Sequence, residues 1–581
     1  MSEVPSVNIY LTKRWHVHLP GSGALREGMS SLSFLERAIV IVLSVTLLVS
    51  TLMMLGEIRD IFSRSVPSPG GNLTEGIIGT PRFINPVIAR SDADKDLVAL
   101  IYSGLMRPSP SGELIPDLAE SYKVSDDGMT YTFTLRSGAV FHDGSRVIAN
   151  DVVYTIHQIQ NPLNASPFAR AWEGISASAV DERTVVFKLG KPYAQFIDNT
   201  TVGILPRTLW QETSEETFAV HRLNVEPVGS GPFMIDSIQR DDSGIPFAYT
   251  LKRFPRFTLG SPYLEHITIM MYGNERDLLS AFEEGTVESL RDVQPSYAET
   301  AEKLGANVDS YPLPRTFGAF FNQNKNQIFT ERAIRNALST AIDREGIIDD
   351  ILYGYATPLE GPLPPPLIPA DKVVDSTTVG EARAILENAG WARGDDGVYA
   401  KKSQRLAFTI STANTAELKQ TAEALERAWE TLGADVSVEL FDLGALHQNI
   451  IRPRAYDILL FGQVVGRGGD LYPFWHSSQR NDPGLNIALY TNIEVDDMLS
   501  DIRTTLDAAT QDDLYASLDS EITADVPAVF LYAPHLLYAL PGWIKGVVSG
   551  PVDEASERFM NVYEWHTGTR TILTASPVLN Y

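Results

Sequence analysis

The stretch GELIPDLAESYKVSDDGMTYTFTLRSGAVFHDGSRVIANDVVYTI (residues 112–156) decides how the chain folds. Its centre, YTFTLR, alternates strictly: Tyr131, Phe133 and Leu135 share one face and threonines the other. That period of two predicts a half-buried strand. Asp126, Asp127 and Gly128 supply the turn before it, and His142, Asp143 and Gly144 the reversal after it. NDVVYTIHQI then changes to helical spacing, with Asn150 as candidate N-cap, which makes His157 a surface or packing histidine.

The same alternation of elements continues outward. DVSVEL (residues 435–440) is a second period-two run, with Val436, Val438 and Leu440 on one face. Residues 331–352 and 421–432 carry apolar residues at helical spacing, the latter through Ala422, Leu425, Trp429 and Leu432. The chain is therefore of α/β (mixed α+β) class, without a repeat that would signal a solenoid or propeller. The proline-rich YATPLEGPLPPPLIPA (residues 355–370) reads as a loop.

One segment differs in kind from the rest. Residues 38–55, AIVIVLSVTLLVSTLMML, hold no charge across eighteen positions. At 1.5 Å per residue they extend roughly 27 Å, close to the bilayer hydrocarbon thickness. Lys13, Arg14, Arg26 and Arg37 precede the segment and only Arg59 and Arg64 follow it closely, so the N-terminus is expected inside and the remainder outside. Some 37 residues come before the apolar run and no small-x-small site ends it, which favours an uncleaved anchor over a signal peptide. Residues 61–71, IFSRSVPSPGG, read as a spacer.

Composition narrows the function. The 581 residues include 47 Lys plus Arg against 73 Asp plus Glu, a net charge of −26 that lies almost wholly after the apolar segment and argues against nucleic acid as a partner. There is no cysteine, which removes disulfides, thiol catalysis, iron–sulfur clusters and lipid attachment through cysteine. Walker, zincin and serine-hydrolase motifs are missing, and Gly466, Gly468 and Gly469 do not fit a dinucleotide fingerprint. Acid pairs such as Asp126/Asp127 and Asp395/Asp396 read as solvated turns rather than glycosidase carboxylates, and the His16/His18 pair is a weak metal signal.

Several blocks in order resemble the extracellular solute-binding proteins of ABC importers, family 5, of the oligopeptide/dipeptide type. They are residues 73–107, the opening stretch 112–156, PVGSGPF (227–233), residues 317–348, ARAILENAGW (382–391) and YDILLFGQVVGRGGDLYPFWHSSQ (456–479). The resemblance implies a type II periplasmic-binding-protein fold: two lobes joined by a hinge, with an extra inserted domain, here preceded by one transmembrane helix. The residue readings above give a cytoplasmic tail (1–37), the anchor (38–55) and a linker (56–70), and the resemblance makes the remainder (71–581) the receptor. In the receptor, lobe I would comprise 71–113, 226–314 and 526–581, the extra domain 114–225 and lobe II 315–525. The hinge would cross near 313–316 and 524–527.

With the apolar segment as anchor, the protein is expected to be a single-pass cell-membrane protein with its bulk extracytoplasmic, and the resemblance implies a receptor rather than an enzyme. It would need no cofactor or metal, and as a monomer would capture short peptides and deliver them to an ABC permease. Same-fold alternatives are receptors for oligosaccharides or nickel complexes; an alternative of another class is a surface enzyme or a sensory or adhesive domain. The family's ammonium-binding aspartate is best matched by Asp470, and the ligand-binding set is expected to be Asp470, Gly468, Gly469, Tyr472, Asn322 and Phe321. Asp470 equally fits a turn cap before Pro473. Trp475 is read as support for the pocket, and Trp172, Trp210, Trp391, Trp429 and Trp543 as packing.

Overall fold

The computed structural model describes residues 30–61, 63–365, 367 and 378–573. Most of the expected cytoplasmic tail, including His16 and His18, and part of the proline-rich loop lie outside these residues. The chain forms two units. The first holds the helix Phe34–Ile61 and a two-stranded ladder of Ser63–Ser68 with Gly568–Leu573. Thus the expected linker carries the end of a helix and a strand. Residues Phe34–Met54 are long and apolar enough to cross a membrane and are exposed throughout.

The second unit, residues 68–568, is organised by one strand. AVFLYAPHLLYALP (Ala528–Pro541) is an apolar run buried along both halves and less so at Pro534 and His535 between them. Its first half pairs with Arg315–Phe321, and its second half pairs with Ala306–Pro312 and with Ser289–Arg291. The buried apolar residues divide at the same place. One core runs from Ala319 to Ala533; the others draw on residues up to Leu313 and from Leu536 onward. These are two lobes.

The chain passes from one core to the other at Leu313 and Pro314 and again inside the long strand at Ala533 and Pro534. Proline at both crossings deletes a backbone donor; the joint is spanned by Leu313 N–H to the Pro534 carbonyl (3.2 Å), by His535 N–H to the Tyr355 carbonyl (3.1 Å), and by the His535 ring between the hydroxyls of Ser310 (2.8 Å) and Thr357 (2.9 Å).

Lobe II continues the sheet through Ile458–Val464, Ala407–Ala413 and Asp435–Phe441, the last three parallel. Lobe I continues it through Asn72–Ile78, His266–Tyr272, Pro246–Arg253 and Phe233–Arg240. An antiparallel four-stranded sheet stands apart in the inserted segment, with Tyr131, Phe133 and Leu135 inward as the alternation requires.

Local readings fail where a cap or an edge intervenes. Asn150 is not the N-cap: the helix is Ala149–Gln160, and Asp151 accepts from the Ile148 N–H at 2.8 Å. Residues 331–352 form two helices, because Asp343 caps a new start at Arg344. Leu440 is exposed because Asp435–Phe441 is an edge strand. Trp543 is also exposed, whereas Trp172, Trp210, Trp391, Trp429 and Trp475 are buried.

Lobe I is pinned by a buried charge network. Arg558 bonds Glu75 and, at 2.6 Å, Asp96; Arg291 reaches Asp96 at 2.8 Å; Tyr538 donates to Glu75 at 2.6 Å. These residues tie the first strand, the helix Asp92–Ile101, the long strand and the 3₁₀ turn Ala555–Phe559 into one body.

Candidate functional site

The face of lobe II that meets lobe I is built by a glycine loop. The strand Ile458–Val464 ends opposite Arg315, after which Val465 donates to the Pro314 carbonyl at 3.0 Å. Gly466 and Gly469 take φ of +78° and +65°, which turns the chain back on itself. Gly468 is needed for contact: a Cβ there would lie 3.0 Å from an Asp198 carboxylate oxygen and 3.2 Å from Gln195. The backbone thus seats directly on the inserted segment. Arg467 pairs with Glu557 of lobe I at 2.7 Å, and Ala194 N–H donates to the Arg503 carbonyl at 2.8 Å.

Asp470 sits at the end of this loop, already occupied. Arg503, in the last turn of the helix Ile493–Thr504, grips its carboxylate with Nε at 2.9 and 3.1 Å and Nη2 at 2.6 Å, and Tyr472 N–H donates at 3.2 Å. The same guanidinium lies 3.9 Å over the Tyr472 ring. Turn cap and ion-pair partner are therefore both filled roles of Asp470. Gly468, Gly469, Asp470 and Tyr472 come together at the closing face.

Phe321 and Asn322 do not join them. They lie at the far end of Arg315–Phe321, about 20 Å from the hinge at the usual rise of a strand. Phe321 is buried against Phe329, and Asn322 donates to the Arg454 carbonyl at 2.8 Å while capping the N–H groups of Asn324 and Lys325. A polar residue after an apolar strand satisfies a turn as readily as a ligand, which is why sequence could not separate the two.

At the hinge side, Asp292 of lobe I and Arg315 and Glu417 of lobe II feel one another's charge. Desolvation raises both carboxyls above their ordinary values; Glu417 also accepts from the Tyr532 hydroxyl at 2.9 Å.

Beside the glycine loop lies a cavity of about 340 Å³ between lobe I and the inserted segment. Its wall includes Tyr102, Phe168, Trp172 and Met560, together with the carboxyls of Asp198, Asp553 and Glu557. Tyr102 follows the helix Asp92–Ile101, held by a Ser91/Asp94 capping box and by Gly229 and Gly231, where any Cβ would strike the Ile101 backbone. Its hydroxyl is buried without a partner. Burial pushes Asp198 up to about 6, aided by the Asp553 charge and opposed by Arg467. Burial also raises Asp553 and Glu557. These acids escaped sequence reasoning, since QFIDNT and PVDEASERF look like ordinary surface segments and meet only in the fold.

The family described as bacterial extracellular solute-binding proteins, family 5, matches residues 113–483. The chain belongs to this family. It is 26% identical to the oligopeptide-binding protein AppA of Bacillus subtilis over 522 residues, covering 87% of this chain and 93% of AppA. Protein XP55 of Streptomyces lividans is 29% identical over 472 residues, 80% of this chain and 84% of XP55. Among solved structures, AppA in complex with a nonapeptide superposes with a TM-score of 0.65 at 25% identity, over 87% of this chain and all of AppA. The ABC transporter substrate-binding protein CtaP of Listeria monocytogenes gives 0.73 at 25% identity, over 86% of this chain and all of CtaP. This family 5 protein is thus an extracytoplasmic solute-binding component of an ABC importer with the type II binding-protein fold, and at family level it is not an enzyme.

Proposed function

We propose that this solute-binding protein captures short peptides between its lobes outside the cell, as a monomer held to the membrane by its N-terminal helix, and delivers them to the permease of its importer. The observation that carries the reading is the closing face. A backbone-rich glycine loop from lobe II rests on the inserted segment with one interlobe ion pair, Arg467 to Glu557, which suits a jaw that opens and shuts on a solute. The likeness to AppA, solved with a nonapeptide, supports peptide as the solute class. Asp470, Gly468, Gly469 and Tyr472 are proposed to border the bound peptide, and Phe321 and Asn322 to support lobe II from behind.

Mass spectrometry of small molecules released from the purified full-length chain tests the solute class, together with melting curves against peptide, oligosaccharide and nickel-complex panels. Peptides are expected to co-purify and to raise the melting temperature; stabilisation by an oligosaccharide or nickel complex alone would replace peptide. For the anchor, the helix window Phe34–Met54 has 21 residues, about 31 Å at helical rise, which matches one crossing. The protein should stay with membranes after alkaline carbonate washing; release into the supernatant would refute anchoring.

A further inference from the structure

We propose that Arg467 is a closure latch: carried by the glycine loop of lobe II and gripped by Glu557 of lobe I, it sets the balance between open and closed receptor, and hence the affinity for every solute, without touching any of them. The inference rests on the peptide-capture reading above and adds to it a positioning residue outside the expected binding set.

Both halves of the latch are fixed before they meet. The loop is tied to lobe II, where the Tyr515 hydroxyl donates to the carbonyls of Gly468 (3.4 Å) and Gly469 (3.0 Å) and Arg503 holds Asp470. Across the cleft, Glu557 stands in the 3₁₀ turn Ala555–Phe559, whose Arg558 is locked into the Glu75 and Asp96 network, and its carboxylate accepts the Asp553 N–H at 2.7 Å. Arg467 reaches it with two nitrogens, Nη2 at 2.7 Å and Nη1 at 3.4 Å. A fork between two rigid mounts fits one relative placement of the lobes and is lost when they rotate. Asp470 and Arg467 of the same loop are thus both satisfied by protein, but Arg503 lies in the same lobe as Asp470 whereas Glu557 lies in the other, so only the Arg467 pair breaks on opening.

The surroundings give the pair its weight. Among the described residues it is the one ion pair that joins lobe II to lobe I or to the inserted segment. Its side chains are 11% and 20% exposed, so solvent and salt screen it less than a surface pair. The Arg467 charge also favours the ionised forms of Asp553 and of Asp198 in the inserted segment, acids that burial otherwise raises. When the lobes part, these carboxyls lose their shared counter-charge. The latch also closes on a face that already fits, since Gly468 seats on Asp198 and Gln195 with no side chain between, and Ala194 N–H reaches the Arg503 carbonyl at 2.8 Å.

The chain has no cysteine, so Glu173→Cys in the inserted segment and Asp497→Cys in lobe II, both at exposed positions, would carry the only spin labels. Pulsed dipolar spectroscopy on the full-length chain in detergent then reads the open and closed fractions for Arg467→Gln, Glu557→Gln and Arg467→Lys in that background, while calorimetry gives affinities for trialanine, trilysine and Ala-Phe-Ala. Either glutamine variant is expected to lower the ratio of closed to open forms of the peptide-free protein about fivefold or more. It should weaken all three peptides by one common factor, the ratio of the closed fractions before and after substitution. Lysine, which keeps the charge without the fork, should fall between. The two glutamine variants act from opposite lobes and should shift the balance no further in combination than singly, so the test survives misfolding of either one. An unchanged distance distribution in both variants would overturn the latch and leave peptide capture intact. Loss of affinity for one peptide alone would also overturn it, because Arg467 would then be a direct contact. A shifted distribution in a protein that binds none of the peptides would uphold the latch and overturn peptide capture.

Discussion

Adjacent residues of one 3₁₀ turn, Glu557 and Arg558, belong to two charge clusters of opposite design. Arg558 enters a dry network in which two carboxylates, Glu75 and Asp96, face two guanidiniums, Arg558 and Arg291, and Tyr538 supplies a further donor. Glu557 faces the cavity, where three carboxyls share one arginine that comes from the other lobe. The first cluster is balanced and complete, so it holds lobe I together. The second is unbalanced and bordered by space, so it can answer to closure. Burial alone does not distinguish scaffold from site; the count of opposite charges does.

The largest expected effect breaks the balanced cluster. Arg558→Met leaves the buried Glu75 without a cation and Asp96 with Arg291 alone, and should destabilise the protein by about 3–5 kcal/mol in denaturant titrations. A loss below about 1 kcal/mol, within the range of a surface pair, would show that the network is not what pins lobe I.

The next test sharpens the role of Asp470. Asp470→Ala and Arg503→Ala should each cost about 1–2 kcal/mol, with a coupling of about 1 kcal/mol in a double-mutant cycle, since each loses the same two-pronged bond. Peptide affinity that collapses in Asp470→Ala while stability is unchanged would restore Asp470 as the ammonium anchor.

The smallest effect concerns pH and the unbalanced cluster. Asp198 is raised by burial to about 6 from an ordinary 3.8, so the folded protein binds more protons than the unfolded chain between those values. The stability it contributes is full below the unfolded value and is lost as pH rises through about 6. Unliganded melting temperature should therefore fall slightly across this window, and Asp198→Asn should make the slope shallower, the remainder coming from Asp553 and Glu557, which burial also raises. A slope unchanged in Asp198→Asn would show that Asp198 is not among the groups that set it.

Much of the scaffold was legible because it follows from local periodicity. The strand Thr130–Leu135, the apolar helix and the buried tryptophans other than Trp543 are all read from spacing and residue type. The site was legible only in part: the glycine loop was found, but its aspartate was separated from its arginine by 33 residues of chain that no motif connects. Phe321 and Asn322 entered the expected set because a strand ending in a polar residue reads the same wherever it lies in the fold.

The sequence by itself determined the elements, the apolar segment, the lack of any cysteine tether and the order of family motifs, because each is a property of neighbouring residues. Tertiary structure alone decided which charges each carboxyl meets. Asp470 was closed off by Arg503, while Asp198, Asp553 and Glu557 were brought from distant segments to one cavity. Charge compensation acts through space over a few ångströms, so it cannot be read until the chain has folded.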